Sequence, residues 1–307
     1  GISGVIFVVV LSSFLYFCYL FKVTSKFFVK SSFYDIIVHS KLLFSFGIHT
    51  VIANSINLIN FEADTIMIGY FLTKSDVGFY SIAVFFSKLL WLVPDSIQKI
   101  TYPMISDYYG QNKEEDIKKI VLKTMSYTAC ISLIIGIPML IYGKLLITFI
   151  YGDSFIQSVS PYYILIIGTI IFSIIKSINS LFASIGKVTL FAKIPTYSAI
   201  INILINAILI PLYGTIGAAI ATSTSLLVYV FVMLYYMKKF IGINLEILWY
   251  FKAILIFISS FLFNEVLLMF VPIYISGVVI ELFVLYFIWK VLLDEKERLS
   301  LSKIFSR

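Results

Sequence analysis

The sequence predicts an all-α integral membrane protein that crosses the bilayer about nine times. Three observations carry this expectation. Apolar runs of about 20 residues follow one another along nearly the whole chain, and at a rise of about 1.5 Å per residue such a run spans a hydrocarbon layer about 30 Å thick. The composition is 61% hydrophobic and only 13% charged, far below the roughly 25% charged residues of a water-soluble domain. Lysines and arginines collect in every second gap between the runs, which is the signature of short cytoplasmic loops.

The expected spans are residues 2–21, 42–71, 79–103, 120–142, 159–181, 188–210, 215–237, 247–271 and 272–291. The domain organisation read from them is a first helix (1–21), a basic linker (22–41), a six-helix lobe (42–237), two further helices (247–291) and a charged tail (292–307). One set of gaps holds Lys22, Lys26, Lys30 and Lys41, then Lys113, Lys118, Lys119 and Lys123, then Lys187 and Lys193, then Lys238, Lys239 and Lys252. The tail adds Lys290, Lys296, Arg298, Lys303 and Arg307, so this side takes 18 of the 23 basic residues. The opposite side has Lys74 and Lys144. The net charge of +7 therefore reflects topology and anionic headgroups, and a nucleic-acid partner is not expected. The tail, and so the C-terminus, is expected in the cytoplasm. Nine spans then put the first residue outside, so an odd number of spans is expected upstream in an intact protein. The chain is thus read as the C-terminal part of a larger transporter or a truncated product.

Enzyme chemistry finds little support. His39 and His49 have no cysteine or carboxylate at metal-ligand spacing, and no metal or cofactor is expected. Gly186-Lys187 lacks the upstream glycine of a phosphate-binding loop, since Leu181 stands there. Gly214 to Ala219 lies between two spans, where small residues serve close helix packing. Cys18 and Cys130 sit inside expected spans and read as small apolar residues.

Ionisable groups inside spans cost about 2.5 to 3.5 kcal/mol at a helix centre, so they are expected to face a bundle interior. Ser81, Lys88, Asp95 and Lys99 recur at helical offsets and form one expected stripe. Pro94 removes a backbone hydrogen bond and should kink that helix. The second span carries Asn54, Asn57, Glu62 and Asp64. Structural ion pairs such as Lys88 with Asp64 or Asp95 with Lys99 are the plain alternative to a transport role. Lys99 and Lys176 can also extend to the headgroups, and Asn202 with Asn206 suits interhelical hydrogen bonding. Lys88 is the residue best suited to an anionic group passing the bilayer midplane.

Several stretches resemble a known family. Asp64-Thr-Ile-Met-Ile-Gly-Tyr-Phe-Leu, Val77-Gly-Phe-Tyr-Ser, Pro94 and Pro103-Met-Ile-Ser are similar to the seventh and eighth helices of Wzx-like polysaccharide repeat-unit flippases. Those proteins form a branch of the multidrug/oligosaccharidyl-lipid/polysaccharide (MOP) exporter superfamily. Tyr151-Gly-Asp with Phe155, and Asn202, Asn206, Pro211, Tyr213-Gly and Gly217-Ala-Ala-Ile-Ala-Thr, resemble later segments of the same family. The resemblance implies two six-helix lobes plus two C-terminal helices, this chain corresponding to helices 6 to 14. It implies a flippase for an undecaprenyl-pyrophosphate-linked oligosaccharide in the bacterial plasma membrane, supplying O-antigen or capsule assembly and its polysaccharide polymerase machinery. Lys88 would attract the pyrophosphate, while Asn54, Asn57 and Tyr80 would hydrogen-bond sugar. Asp64 would pair with Lys88 or carry a coupling proton or cation, and Asp95 and Lys99 would form a charge pair. A MATE-like drug or cation antiporter, a peptidoglycan-precursor flippase, for which more arginines than Arg298 and Arg307 would be expected, and a non-transporting fragment are the competing expectations.

Overall fold

The computed structural model describes residues 2–27, 33–295, 297–299 and 302. The described residues are almost entirely helical and contain no strand. Two compact units divide at residues 48 and 49. The first contains α1 (Ile2–Thr24) and the start of α2 (Phe33–Phe71). The stretch expected as a linker, 22–41, is thus helical from Phe33 onward.

The second unit contains the rest of α2, then α3 (Lys74–Leu89), α4 (Leu92–Gly110), α5 (Glu114–Tyr151), α6 (Val159–Lys176), the short α7 (Leu181–Ser184), α8 (Val188–Ile241), α9 (Ile247–Leu267) and α10 (Ile273–Phe287). α3 starts where the sequence supplies a capping box. The Thr73 hydroxyl accepts from the Asp76 amide, and the Asp76 carboxylate accepts from the Thr73 amide at 3.0 Å, which satisfies two otherwise orphaned donors.

Among the described residues, six helices are long and apolar enough to cross a membrane, or seven if α3 and α4 are taken as one bent span. The expected count of nine differs partly because α8 holds two of the expected spans. Its 54 residues would extend about 81 Å if straight, far beyond one bilayer. Instead it folds back at Gly214, whose φ of 62° and ψ of −138° suit a residue without a Cβ. The Ser198 hydroxyl donates to the Ser225 carbonyl at 2.7 Å, and Asn202 Nδ2 lies 3.3 Å from Thr222 Oγ1. These pairs converge on the turn, so the two arms of α8 are antiparallel.

Gly217 lets the arms meet. A Cβ there would lie 2.1 Å from the Leu209 carbonyl oxygen, which is backbone and cannot rotate away. Gly217→Ala should therefore splay the α8 hairpin. The expected loss is about 1–3 kcal/mol, typical of overpacking, and it is checked by the melting temperature of the purified protein. An unchanged melting temperature would mean the turn has freedom that its geometry does not indicate.

The core is built on α6, which packs on α8, α5 and α3. Tyr80, Leu165, Ile166 and Ala218 are completely or almost completely buried in one cluster around it, and Met125, Phe182 and Met233 in another. α9 and α10 pair with each other and lean on α5 through Ile137, Ile256, Ile280 and Val284. Basic residues gather at one end of this unit. Lys118 Cε comes within 3.9 Å of the Cβ position at Gly242, and the Lys187 ammonium lies 4.2 Å from the centre of the Phe240 ring.

Candidate functional site

The helix expected to kink at Pro94 breaks one turn earlier. α3 ends at Leu89, α4 begins at Leu92, and their axes differ by 48°. Pro94 has no N–H to donate to the Leu90 carbonyl four residues back, so the regular ladder ends there. The break divides the expected polar stripe. Lys88 lies before it and Asp95 after it, while Ser81 and Lys99 are exposed. The Ser81 hydroxyl donates to its own helix at the Val77 carbonyl.

Just before the break, the end of α2, α3, α6 and the second arm of α8 form a small, partly open cleft with room for about one water molecule. Its polar lining is Asp64, Ser87, Lys88, Trp91, Thr169 and Thr222, and Val84, Leu165 and Leu226 complete the wall. Asp64 is 1% exposed, and three side chains from two other helices donate to its carboxylate. The Tyr80 hydroxyl donates at 2.8 Å, Asn206 Nδ2 at 2.6 Å, and the Thr222 hydroxyl donates to the same oxygen as Tyr80. Asn206 also donates to Asn202 Oδ1 at 3.0 Å, and Asn202 approaches Ser225 Oγ at 3.5 Å. A buried carboxylate is tolerated when its lone pairs are satisfied in this way. Among the described residues, the Asn206 side-chain oxygen Oδ1 is buried with no hydrogen-bond partner.

Several expectations are corrected by this geometry. Tyr80, expected to meet sugar, is fully buried and its hydroxyl is committed to Asp64. Lys88 pairs with Glu62 at 3.8 Å rather than directly with Asp64, although the two line the same cleft. Asp95 pairs with Lys176 at 2.8 Å rather than with Lys99, because the 48° break redirects α4 towards α6. Lys176 is drawn inward, with its ammonium 4.9 Å from the centre of the Trp91 ring, rather than extending to a membrane rim. The side chains of Asn54 and Asn57 lie outside the described residues.

Asn202, Asn206 and Thr222 join Asp64 in one network, a grouping the sequence reading did not make. The signal was present. The spans expected at 188–210 and 215–237 already imply a hairpin at Gly214, and following its register brings residue 222 opposite 202 and 206.

A bent helix pair, a hairpin of small and amide residues, and charged groups buried between apolar helices describe a helical bundle with the fold of the MOP exporters. The similarity to solved structures supports that fold. The lipid II flippase MurJ, in its inward closed conformation, superposes with a TM-score of 0.67 over 86% of this chain and 57% of its own, at 17% identity. A MOP superfamily transporter from Pyrococcus furiosus gives 0.56 over 73% of this chain and 53% of its own, at 19% identity. Residues 1–160 match the polysaccharide biosynthesis protein family, and the chain belongs to it. Two proteins of Haloferax volcanii are similar in sequence. The one named "Probable low-salt glycan biosynthesis flippase Agl15" is 22% identical over 210 residues, 68% of this chain and 44% of that protein. The one named "Probable flippase AglR" is 30% identical over 170 residues, 53% of this chain and 35% of that protein. The chain thus spans less than half the length of these relatives.

Proposed function

We propose that this chain supplies one lobe of a flippase that moves a polyprenyl-pyrophosphate-linked oligosaccharide across the plasma membrane for surface polysaccharide assembly. The observation that carries the reading is the position of Lys88, which lines a cleft together with Asp64 and Trp91 close to the break of a helix pair long and apolar enough to cross a membrane. A lysine held in such a place offers a point charge to a phosphoryl group, and the chain's family acts in polysaccharide biosynthesis. The prenyl tail would stay in lipid while the cleft shields the charged and hydroxylated headgroup. The basic end of the bundle, with Lys118, Lys187 and Lys238, faces the cytoplasm in this reading, following the bias of short loops. Asp64 takes the coupling role by accepting a proton or small cation, since its network joins α2, α3 and both arms of α8 and can bias one helix arrangement over another.

The test is complementation of a strain that lacks its repeat-unit flippase, using the complete reading frame that contains this chain, with surface glycan read by gel. Restored glycan is the expected result. Failure with every glycan donor tried, together with a gain of drug resistance, would favour the antiporter reading instead.

A further inference from the structure

Resting on the flippase reading, we propose that Lys176 is a second anion-holding residue of the cleft, and that Asp95 is its displaceable counter-ion until a diphosphate ester bridges Lys88 and Lys176. Trp91 links the two lysines, since it lines the cleft with Lys88 and its ring centre lies 4.9 Å from the Lys176 ammonium, and each lysine is held beside a carboxylate. Lys88 lies 3.8 Å from Glu62, and Lys176 lies 2.8 Å from Asp95. In both pairs the acid is the more exposed partner. The side-chain exposures are 54% for Glu62 against 31% for Lys88, and 44% for Asp95 against 15% for Lys176. Each carboxylate therefore has more room to move away than the lysine it pairs with.

Two features keep the Lys176 ammonium positioned once Asp95 leaves. The Trp91 ring, which also lines the cleft beside Lys88, supports it by a cation–π contact. The backbone just beyond Lys176 is irregular from 177 to 180, separating α6 from α7. It is pinned by the Thr101 hydroxyl, which donates to the Ser177 carbonyl at 3.1 Å, and by the Tyr229 hydroxyl, which donates to Asn179 Oδ1. Interrupted helices at membrane depth persist where protein or a cavity satisfies the freed backbone. Here that interruption and the break between α3 and α4 are bridged by the Lys176–Asp95 pair. A diphosphate carries charge on both phosphoryl groups and can engage both ammonium groups. A monophosphate can satisfy only one, so the second lysine selects between them.

The experiment titrates the protein in lipid nanodiscs with geranylgeranyl diphosphate and geranylgeranyl monophosphate, read by calorimetry. Lys176→Gln should weaken diphosphate binding about tenfold, as expected for one lost charge-assisted contact, and leave monophosphate binding within about twofold. Lys176→Arg should restore the preference. Asp95→Asn should tighten diphosphate binding several-fold, a gain that misfolding would not produce. If Asp95→Asn and Lys176→Gln bind both probes as the unmodified protein does, while Lys88→Gln loses binding, the proposal for Lys176 is overturned and the flippase reading of the cleft stands. If the unmodified protein binds neither probe, both fail.

Discussion

Asp64→Ala is expected to abolish glycan transport and to cost about 3–5 kcal/mol of stability, the range seen when one partner of a buried charged network is removed. The substitution leaves the Tyr80 hydroxyl, the Asn206 amide and the Thr222 hydroxyl without their common acceptor in a site 1% exposed. Each orphaned buried donor costs about 1–3 kcal/mol, although the three share one site and will not add. Asp64→Asn separates structure from coupling. It keeps the volume and one acceptor oxygen, so the melting temperature should fall less than in Asp64→Ala, while transport should still be lost because an amide cannot take up or release a proton. Surface glycan and melting temperature are the two measurements. Full transport by Asp64→Asn would remove the coupling role and leave a purely structural network.

The second large effect is expected at Lys88. Lys88→Glu places a third acid beside Glu62 and Asp64 on the wall of the cleft, converting attraction for an anionic headgroup into repulsion in a site of low dielectric. Surface glycan in the complementation strain should fall by at least about tenfold, corresponding to about 1.4 kcal/mol of lost binding. Protein abundance in the membrane, measured by immunoblot, should change little, because half-exposed Glu62 has room to turn its carboxylate away from the new acid. Lys88→Arg should retain part of the activity. Glycan at the unmodified level in Lys88→Glu would exclude Lys88 from anion binding.

The membrane character of the chain was legible because it depends on local quantities. Run length and mean hydropathy are summed along the sequence, and the alternation of basic gaps needs no contact information. Pro94 likewise announced a kink, since a missing N–H breaks a hydrogen bond four residues away within the same helix. The two spans inside α8 could be read for the same reason, with Gly214 supplying the backbone freedom for the turn between them.

The pairing of charges was not legible from spacing. Helical offsets placed Ser81, Lys88, Asp95 and Lys99 on one stripe, but that argument assumes a continuous helix. The 48° break turned Lys88 to the cleft and sent Asp95 to Lys176, eighty-one positions later in the chain. The family resemblance implies Tyr80 as a sugar contact. Only the packing of α3 on α6 and α8 revealed that it lies in the core, beneath the cleft and against Asp64.

The sequence by itself determined that this is a helical membrane protein, which side of the bundle is basic, that a helix breaks within about a turn of Pro94, and which residues resemble the flippases. Apolar length, charge bias and proline or glycine backbone chemistry all act within a few residues. Only the tertiary structure decided that Asp64, Tyr80, Asn206 and Thr222 form one network and that Lys176 pairs with Asp95 beside the Trp91 ring. A buried polar group must find its partner wherever the fold brings a donor or a charge within about 3 Å, and that distance is set by helix packing rather than by separation along the chain.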